Sequence, residues 1–379
     1  MPMRPLSMVD LKSQYKNIKT EIDAAIQGVI DSSQFIKGQD VTLLQSELAS
    51  YLGVKHVIAC GNGTDALQIA LMALGLKPGD EVITTDFTFI ATVEVVALLG
   101  LKPVLVDVDP KTFCINADKI EEKITPQTKA IVPVHLFGQC ADMQKIMDIA
   151  NRHNLFVVED TAQALGADFS FDDGKKLKAG TIGHVGCTSF FPSKNLGCYG
   201  DGGALFTNND EIAEQIRYIS NHGMKVRYHH DMIGVNSRLD TIQAAILRVK
   251  LPRLDSYNKA RQEAAAKYNI ELENVEGVVT PSKIDSSSHI YHQYTLLVKD
   301  GRRNDLKKFL DEKGIPCMIY YPIPIHQQKA FAPYVDENEM FSVSQQLADE
   351  VLSLPMHTEL DDEQISVITT AVKSFFQKQ

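Results

Sequence analysis

The residues best suited to chemistry lie between Cys187 and Gly203, in the run Cys-Thr-Ser-Phe-Phe-Pro-Ser-Lys-Asn-Leu-Gly-Cys-Tyr-Gly-Asp-Gly-Gly. Its one lysine, Lys194, follows an apolar stretch (Thr188 to Phe191) that reads as a strand, and precedes Gly197, Gly200, Gly202 and Gly203. Glycines leave room for a bulky group against the backbone. A partly desolvated lysine has a lowered pKa, and its free amine attacks carbonyl carbon. Taken alone, the same lysine reads as a solvated side chain in a surface turn, so the rest of the chain decides.

Four other stretches bear on it. Gly61-Asn62-Gly63-Thr64 is a tight turn between a short strand (Val57 to Cys60) and an Ala/Leu-rich helix starting at Asp65. Free N–H groups and the positive end of a helix dipole suit a phosphate, and Thr64 adds a hydroxyl. An ordinary capped turn has the same composition, and the stretch fits neither the Walker loop nor G-x-G-x-x-G. Asp160, in Glu159-Asp-Thr-Ala-Gln163, directly follows a strand; it either neutralises a cation in a pocket or caps the next helix. Tyr320-Tyr-Pro-Ile-Pro-Ile-His326 offers two tyrosines and a histidine, or simply braces a crossover. His229-His230 hints at a metal, but adjacent side chains point apart and no third ligand is near, so a hydrogen-bonding loop is expected and no metal.

These groups must be positioned by regular elements. Strands at 81–84, 103–106, 129–134, 155–159 and 204–207 alternate with helices at 89–99, 117–123, 141–152 and 210–221. The pattern implies an α/β fold with a mostly parallel sheet covered on both faces. Ligands then bind beyond the carboxyl ends of the strands. That edge would gather Gly61 to Thr64, Asp86 to Phe89, His135, Asp160 to Gln163 and Lys194. Two helices (8–31 and 40–51) precede the sheet, and 171–180 and 221–238 read as polar loops. A long helix (239–272), kinked at Pro252, leads into a smaller unit. There, strands at 291–298 and 317–320 accompany helices at 303–312, 342–352 and 361–376. The expected division is a large domain over 1–250, N-terminal helices included, and a small C-terminal α/β domain over 251–379.

Composition narrows the classes. Of 379 residues 44% are hydrophobic, which predicts a large core. A formal net charge of -10 argues against nucleic acid as the main partner. The six cysteines form no C-x-x-C pair and read as free thiols in a reducing compartment. The N-terminus lacks the apolar core of a signal peptide and no apolar run is long enough to span a membrane, so a cytoplasmic location is expected.

One cofactor uses all of these parts. Pyridoxal 5′-phosphate needs a lysine for its aldehyde carbon, a carboxylate beside its pyridine nitrogen, a phosphate cradle and an aromatic over its ring. Lys194 and Asp160 supply the first two. Gly63, Thr64 and Ser189 make the cradle, and Phe89 is the stacking ring. Asp160 keeps the pyridine nitrogen protonated, and Lys194 is the base that moves the substrate proton between carbons.

At this point a resemblance becomes specific. Phe190-Phe-Pro-Ser-Lys-Asn-Leu-Gly197 with Gly200-Asp-Gly-Gly203 resembles the lysine motif of the DegT/DnrJ/EryC1/StrS family of nucleotide-sugar aminotransferases. So do Gly63-Thr-Asp-Ala-Leu67, Thr88-Phe-Ile-Ala-Thr92, Glu159-Asp-Thr-Ala-Gln163 and Gly234-Val-Asn-Ser-Arg-Leu-Asp-Thr-Ile-Gln-Ala-Ala245. The match runs in order from about residue 6 to 370. It implies a fold-type I, aspartate-aminotransferase-like enzyme, an obligate homodimer with its active site at the subunit interface. Asn236 would reach the partner's phosphate, and Gln163 would meet the cofactor's 3-oxygen. Tyr321 and His326 match positions near the nucleotide sugar, and Arg238 could meet an anionic group. Two departures bear on this. Many members have Ser where this chain has Asn62, which would leave the phosphate to Thr64 and Ser189. One branch replaces the lysine by histidine and removes a hydroxyl; Lys194 favours transamination.

The motifs around Gly63 and Tyr228 are similar to members acting at C-3 of nucleotide-linked ketosugars for surface polysaccharide such as lipopolysaccharide O-antigen. The expected acceptor is UDP-2-acetamido-3-keto-glucuronic acid, since Arg238 and the histidines, His229 among them, could offer charge to its carboxylate. The expected donor is L-glutamate. A dTDP-3-keto-6-deoxyhexose or a 4-keto sugar is the alternative acceptor. A dehydratase or amino-acid lyase of the same fold, and a non-catalytic cofactor-binding regulator, are the competing functions.

Overall fold

The computed structural model describes residues 4–336 and 338–377. The sheet begins with β1 (His56–Cys60), β2 (Glu81–Thr85), β3 (Lys102–Val106), β4 (Thr128–Val132) and β5 (Phe156–Asp160). A hairpin of β6 (Asp168–Ser170) and β7 (Lys176–Lys178) follows; then β8 (Val185–Ser189) and β9 (Gly203–Thr207) complete the sheet. The spatial order is β1-β9-β8-β5-β4-β2-β3. Only β9 runs against its neighbours; the other pairings are parallel. The α/β fold with a mostly parallel sheet is therefore as expected.

Successive strand residues point to opposite faces, and the core divides accordingly. Val82, Val132 and Val158 pack with Leu67, Leu71, Val96 and Ile216 on one face. Ile83, Ile131 and Val157 pack with Met143, Ile146 and Ile149 on the other. The covering helices are α1 (Leu11–Ser32), α2 (Gln39–Leu52), α3 (Gly63–Ala73), α4 (Ala91–Leu98), α5 (Met143–His153) and α6 (Asp210–Ile219). After a surface hairpin of β10 (Met224–Val226) and β11 (His229–His230) come α7 (Thr241–Lys250) and α8 (Leu254–Leu272). A 3-10 turn containing Pro252 separates these two helices, as the proline predicted.

The last third forms a three-stranded sheet of β12 (Val278–Val279), β13 (Tyr294–Val298) and β14 (Val351–Leu354). Its core joins Tyr268, Leu296, Leu306, Leu310, Leu352 and Ile368. The structure departs from the sequence reading in several places. Residues 317–320 make no strand, only a single bridge from Met318 to Ser353. The helix from Ser342 stops at Glu350, and the expected helical tail is β14. The stretch 117–123 is two 3-10 turns. Both supposed polar loops carry hairpin strands, β7 in one and β10 with β11 in the other.

Candidate active site

Four strands end at one edge. β5 stops at Asp160, and its neighbour β8 sets Cys187 opposite Asp160 and places Ser189 two residues further on. β1 delivers Gly61 to Thr64, and β2 delivers Asp86 to Phe89. Between them lies a cavity of about 770 Å³ lined by Gly63, Thr64, Phe89, Asp160, Gln163, Ser189, Lys194 and Tyr321, among others. Of the cofactor residues expected from sequence, all but Asn236 meet there. Arg238, His326 and His229 do not line it. Asn236 and His229 are exposed. His326 is held by Asp86, which accepts from its backbone N–H at 2.7 Å and lies 2.6 Å from its Nδ1.

The turn after β1, the expected phosphate cradle, is built by close approach. α3 starts at Gly63, and the Asn62 side-chain oxygen accepts from the Asp65 N–H at 2.8 Å. Asn62 is therefore the N-cap, a role worth about 1 kcal/mol. The N–H groups of Gly63 and Thr64 have no protein partner among the described residues. A Cβ on Gly63 would sit 2.7 Å from the Ser189 Cβ, and one on Gly203 would sit 2.4 Å from the Asn62 carbonyl oxygen. The turn after β1, the end of β8 and the start of β9 are thus pressed together with no space for a side chain.

Asp160 is fixed from two sides. Thr92 on α4 donates to its Oδ2 at 2.8 Å, and the Ala162 N–H donates to its Oδ1 at 3.1 Å. No helix follows for it to cap, only a turn. Beneath it, the buried Glu159 carboxylate accepts from the N–H groups of Gly180, Ile182 and Gly183 at 2.9, 2.7 and 2.6 Å. His135 lies 2.9 Å from Glu159 through Nε2, while its Nδ1 accepts from the Ala141 N–H at 3.1 Å. His135 is therefore an Nε2 donor to Glu159. The Gln163 carbonyl accepts from the Phe137 N–H at 2.8 Å, which turns its Nε2 toward the Tyr321 hydroxyl at 3.1 Å. Burial raises the pKa of that hydroxyl, so Tyr321 stays protonated.

Lys194 is half-buried as a residue, and its Nζ has no hydrogen-bond partner among the described residues. Desolvation lowers its pKa to about 8, with Asp160 opposing the shift. The amine is thus within reach of its neutral, nucleophilic form near neutral pH. A second lysine supports the turn that follows: the buried Lys250 donates from Nζ to the Gly197 carbonyl at 2.6 Å. Sequence reasoning passed over Lys250, Thr92, Glu159 and His292, which also lines the cavity. Thr92 had a signal, since it ends the motif that begins at Thr88.

The donor set fits pyridoxal 5′-phosphate: unpartnered N–H groups for phosphate, a fixed carboxylate, and an unpaired amine of lowered basicity. On a mostly parallel sheet, that combination defines a pyridoxal-phosphate enzyme of the fold-type I kind. The sequence profile of the DegT/DnrJ/EryC1/StrS aminotransferase family matches residues 16–373, and the chain belongs to that family. It is an aminotransferase. It is 48% identical over 372 residues to the "Pleiotropic regulatory protein" of Geobacillus stearothermophilus, covering 98% of each chain. It is also 48% identical over 367 residues to the UDP-2-acetamido-2-deoxy-3-oxo-D-glucuronate aminotransferase of Pseudomonas aeruginosa, covering 97% of this chain and 99% of that one. The solved structure of NtdA from Bacillus subtilis, with bound cofactor PMP, is 32% identical with a TM-score of 0.90, over 100% of this chain and 86% of that one. Among the described residues, no helix is long and apolar enough to cross a membrane.

Proposed function

We propose that the enzyme moves an amino group from L-glutamate to the C-3 keto carbon of UDP-2-acetamido-3-keto-glucuronic acid, in the making of surface polysaccharide. One observation carries the transfer chemistry: Lys194 and Asp160 share one cavity with an open phosphate cradle. The Pseudomonas relative supports the sugar. When bound, pyridoxal 5′-phosphate supplies an aldehyde to receive the amino group and a ring to take up the electron pair left by the departing α-proton.

The chain's residues do the rest. Lys194 would hold the cofactor through its amine and, when free, would be the base that carries the substrate proton between carbons. Asp160, aligned by Thr92, holds a proton on the pyridine nitrogen. Gly63, Thr64 and Ser189 bind phosphate, Gln163 Nε2 reaches the 3-oxygen, and Phe89 covers the ring. Asn236 serves the partner subunit's phosphate, and the active unit is a homodimer. Its support is the exposure of Phe191 at the cavity, 52%, a ring to which no cofactor contact is assigned and which a second subunit would cover. Arg238 and His229 offer charge to the sugar carboxylate; Tyr321 and His326 flank the sugar.

The test is turnover with glutamate and either the UDP-uronic acid or a dTDP-3-keto-6-deoxyhexose. The expected result is 2-oxoglutarate and a 3-amino sugar, with higher kcat/KM for the UDP-uronic acid. Faster turnover of the dTDP sugar, or of a 4-keto sugar, overturns the substrate. Absence of 2-oxoglutarate with every acceptor overturns the transfer. The Geobacillus relative's name favours a second reading, a cofactor-binding regulator. That reading requires a protein that takes up cofactor yet fails to convert it to the amine form with glutamate.

A further inference from the structure

His292 lines the cavity with Lys194 and is only 5% exposed. Its surroundings settle which of its nitrogens carries hydrogen. Asn195, the residue after Lys194, spends its amide hydrogens on the Asn258 Oδ1 at 2.7 Å and the Ile290 carbonyl at 3.3 Å. Its Oδ1 can then only accept, and the group 3.2 Å away is His292 Nδ1. The ring is therefore hydrogenated at Nδ1, and Nε2 carries the lone pair. Among the described residues Nε2 has no protein partner, yet it is not one of their fully enclosed unpartnered atoms, which are Tyr199 Oη, Arg261 Nε and His357 Nε2. The open space that the residue lines is the cavity.

The ring's backbone is clamped as well. Arg261 on α8 is 3% exposed and donates from Nη1 to the carbonyls of Tyr291, His292 and Met356 at 3.2, 3.2 and 3.0 Å. Burial, with the cations of Lys194 and Arg261, holds the His292 imidazole well below its ordinary pKa. Asp160 is the anionic group acting on Lys194 from the sheet side.

We propose that His292 is a positioning residue for Lys194: the two groups are unbonded here but line one cavity, and when the lysine amine turns toward His292 the bare Nε2 accepts a hydrogen bond from it and holds it on one side of the cavity while it carries the substrate proton. Asn195 ties the two together, since it adjoins Lys194 in sequence and fixes the His292 tautomer in space. This rests on Lys194 being the cofactor-binding lysine. A Lys194→Ala protein that still traps cofactor covalently would sink that reading and this one with it, whereas capture lost in Lys194→Ala with unchanged His292 readouts would sink this one alone.

The test follows capture of added pyridoxal phosphate by the full cofactor-free chain, fixed with borohydride, from pH 6 to 10. An acceptor stabilises the ammonium, so His292→Leu should move the midpoint down from the wild-type value by about half a unit or more. His292→Gln, which keeps an acceptor, should stay near wild type. In the glutamate half-reaction, His292→Leu should lower kcat about tenfold with little change in KM. An unchanged midpoint in His292→Leu, or an equal shift in His292→Gln, overturns the proposal. Should His292→Leu fail to fold, ¹⁵N-histidine spectra of wild type decide. Hydrogen on Nδ1 and an Nε2 signal that moves on capture at Lys194 support it; hydrogen on Nε2 overturns it.

Discussion

At the scale of single residues, the site depends on an amine made less basic and a carboxylate held still. Only the neutral form of Lys194 attacks, and its pKa is lowered to about 8 by desolvation. Capture of pyridoxal phosphate by the cofactor-free chain should therefore slow about tenfold per pH unit below that value and level off above it. A rate that is flat between pH 6 and 8 would contradict the lowered pKa. Lys194→Ala should lose borohydride-fixed cofactor altogether, read by mass spectrometry. Thr92→Val removes one of the two hydrogen bonds to Asp160. It should lower kcat about tenfold at unchanged cofactor stoichiometry, since the loss is of orientation alone. Lys194, Asp160, Gly63 and Phe89 were legible because each follows a strand whose apolar run is plain in the sequence. His292 was not: it stands in the mixed run Ser288-His-Ile-Tyr-His-Gln-Tyr294, with no motif around it, and only the contact with Asn195, far off in sequence, gives it meaning.

At the scale of elements, the phosphate turn and the lysine loop are held by caps and buried polar ties. Asn62, where the family resemblance implied serine, caps α3 by accepting from the Asp65 N–H, so its side-chain oxygen is committed to the helix start. Asn62→Ala should cost about 1 kcal/mol in chemical denaturation, while Asn62→Ser should cost far less. Lys250→Met leaves the buried Gly197 carbonyl without its donor. It should cost about 1–3 kcal/mol, and cofactor should dissociate faster from the variant. The elements that escaped sequence reading share a cause. β14 continues directly from the Ser342–Glu350 helix with no intervening residue, so only pairing with β13 makes it a strand. The hairpins β6–β7 and β10–β11 are short and polar, with strands of two or three residues, too brief to show an alternation.

At the scale of the whole molecule, the proposed dimer makes a sharp demand. If Asn236 serves the partner's site, Lys194→Ala and Asn236→Ala chains should each be weak alone. Mixed and reassorted, they should regain about a quarter of wild-type sites, because half the dimers are then mixed and each has one intact site. No recovery, with mixed dimers present by mass, would place Asn236 in its own subunit's site. The sheet adds a constraint of another kind. Gly203 lies against the Asn62 carbonyl and Gly63 against Ser189, so the segment proposed to bind phosphate and the one that bears the lysine leave no gap between them. They are interlocked parts that cannot be exchanged singly. A chimera that imports a relative's lysine loop with any bulkier residue at position 203 would force the phosphate turn out of place; importing both segments together would carry the fit along with them. Inheritance of this active site is therefore expected to proceed in blocks, with new sugar specificities arising around the interlocked pair rather than within it.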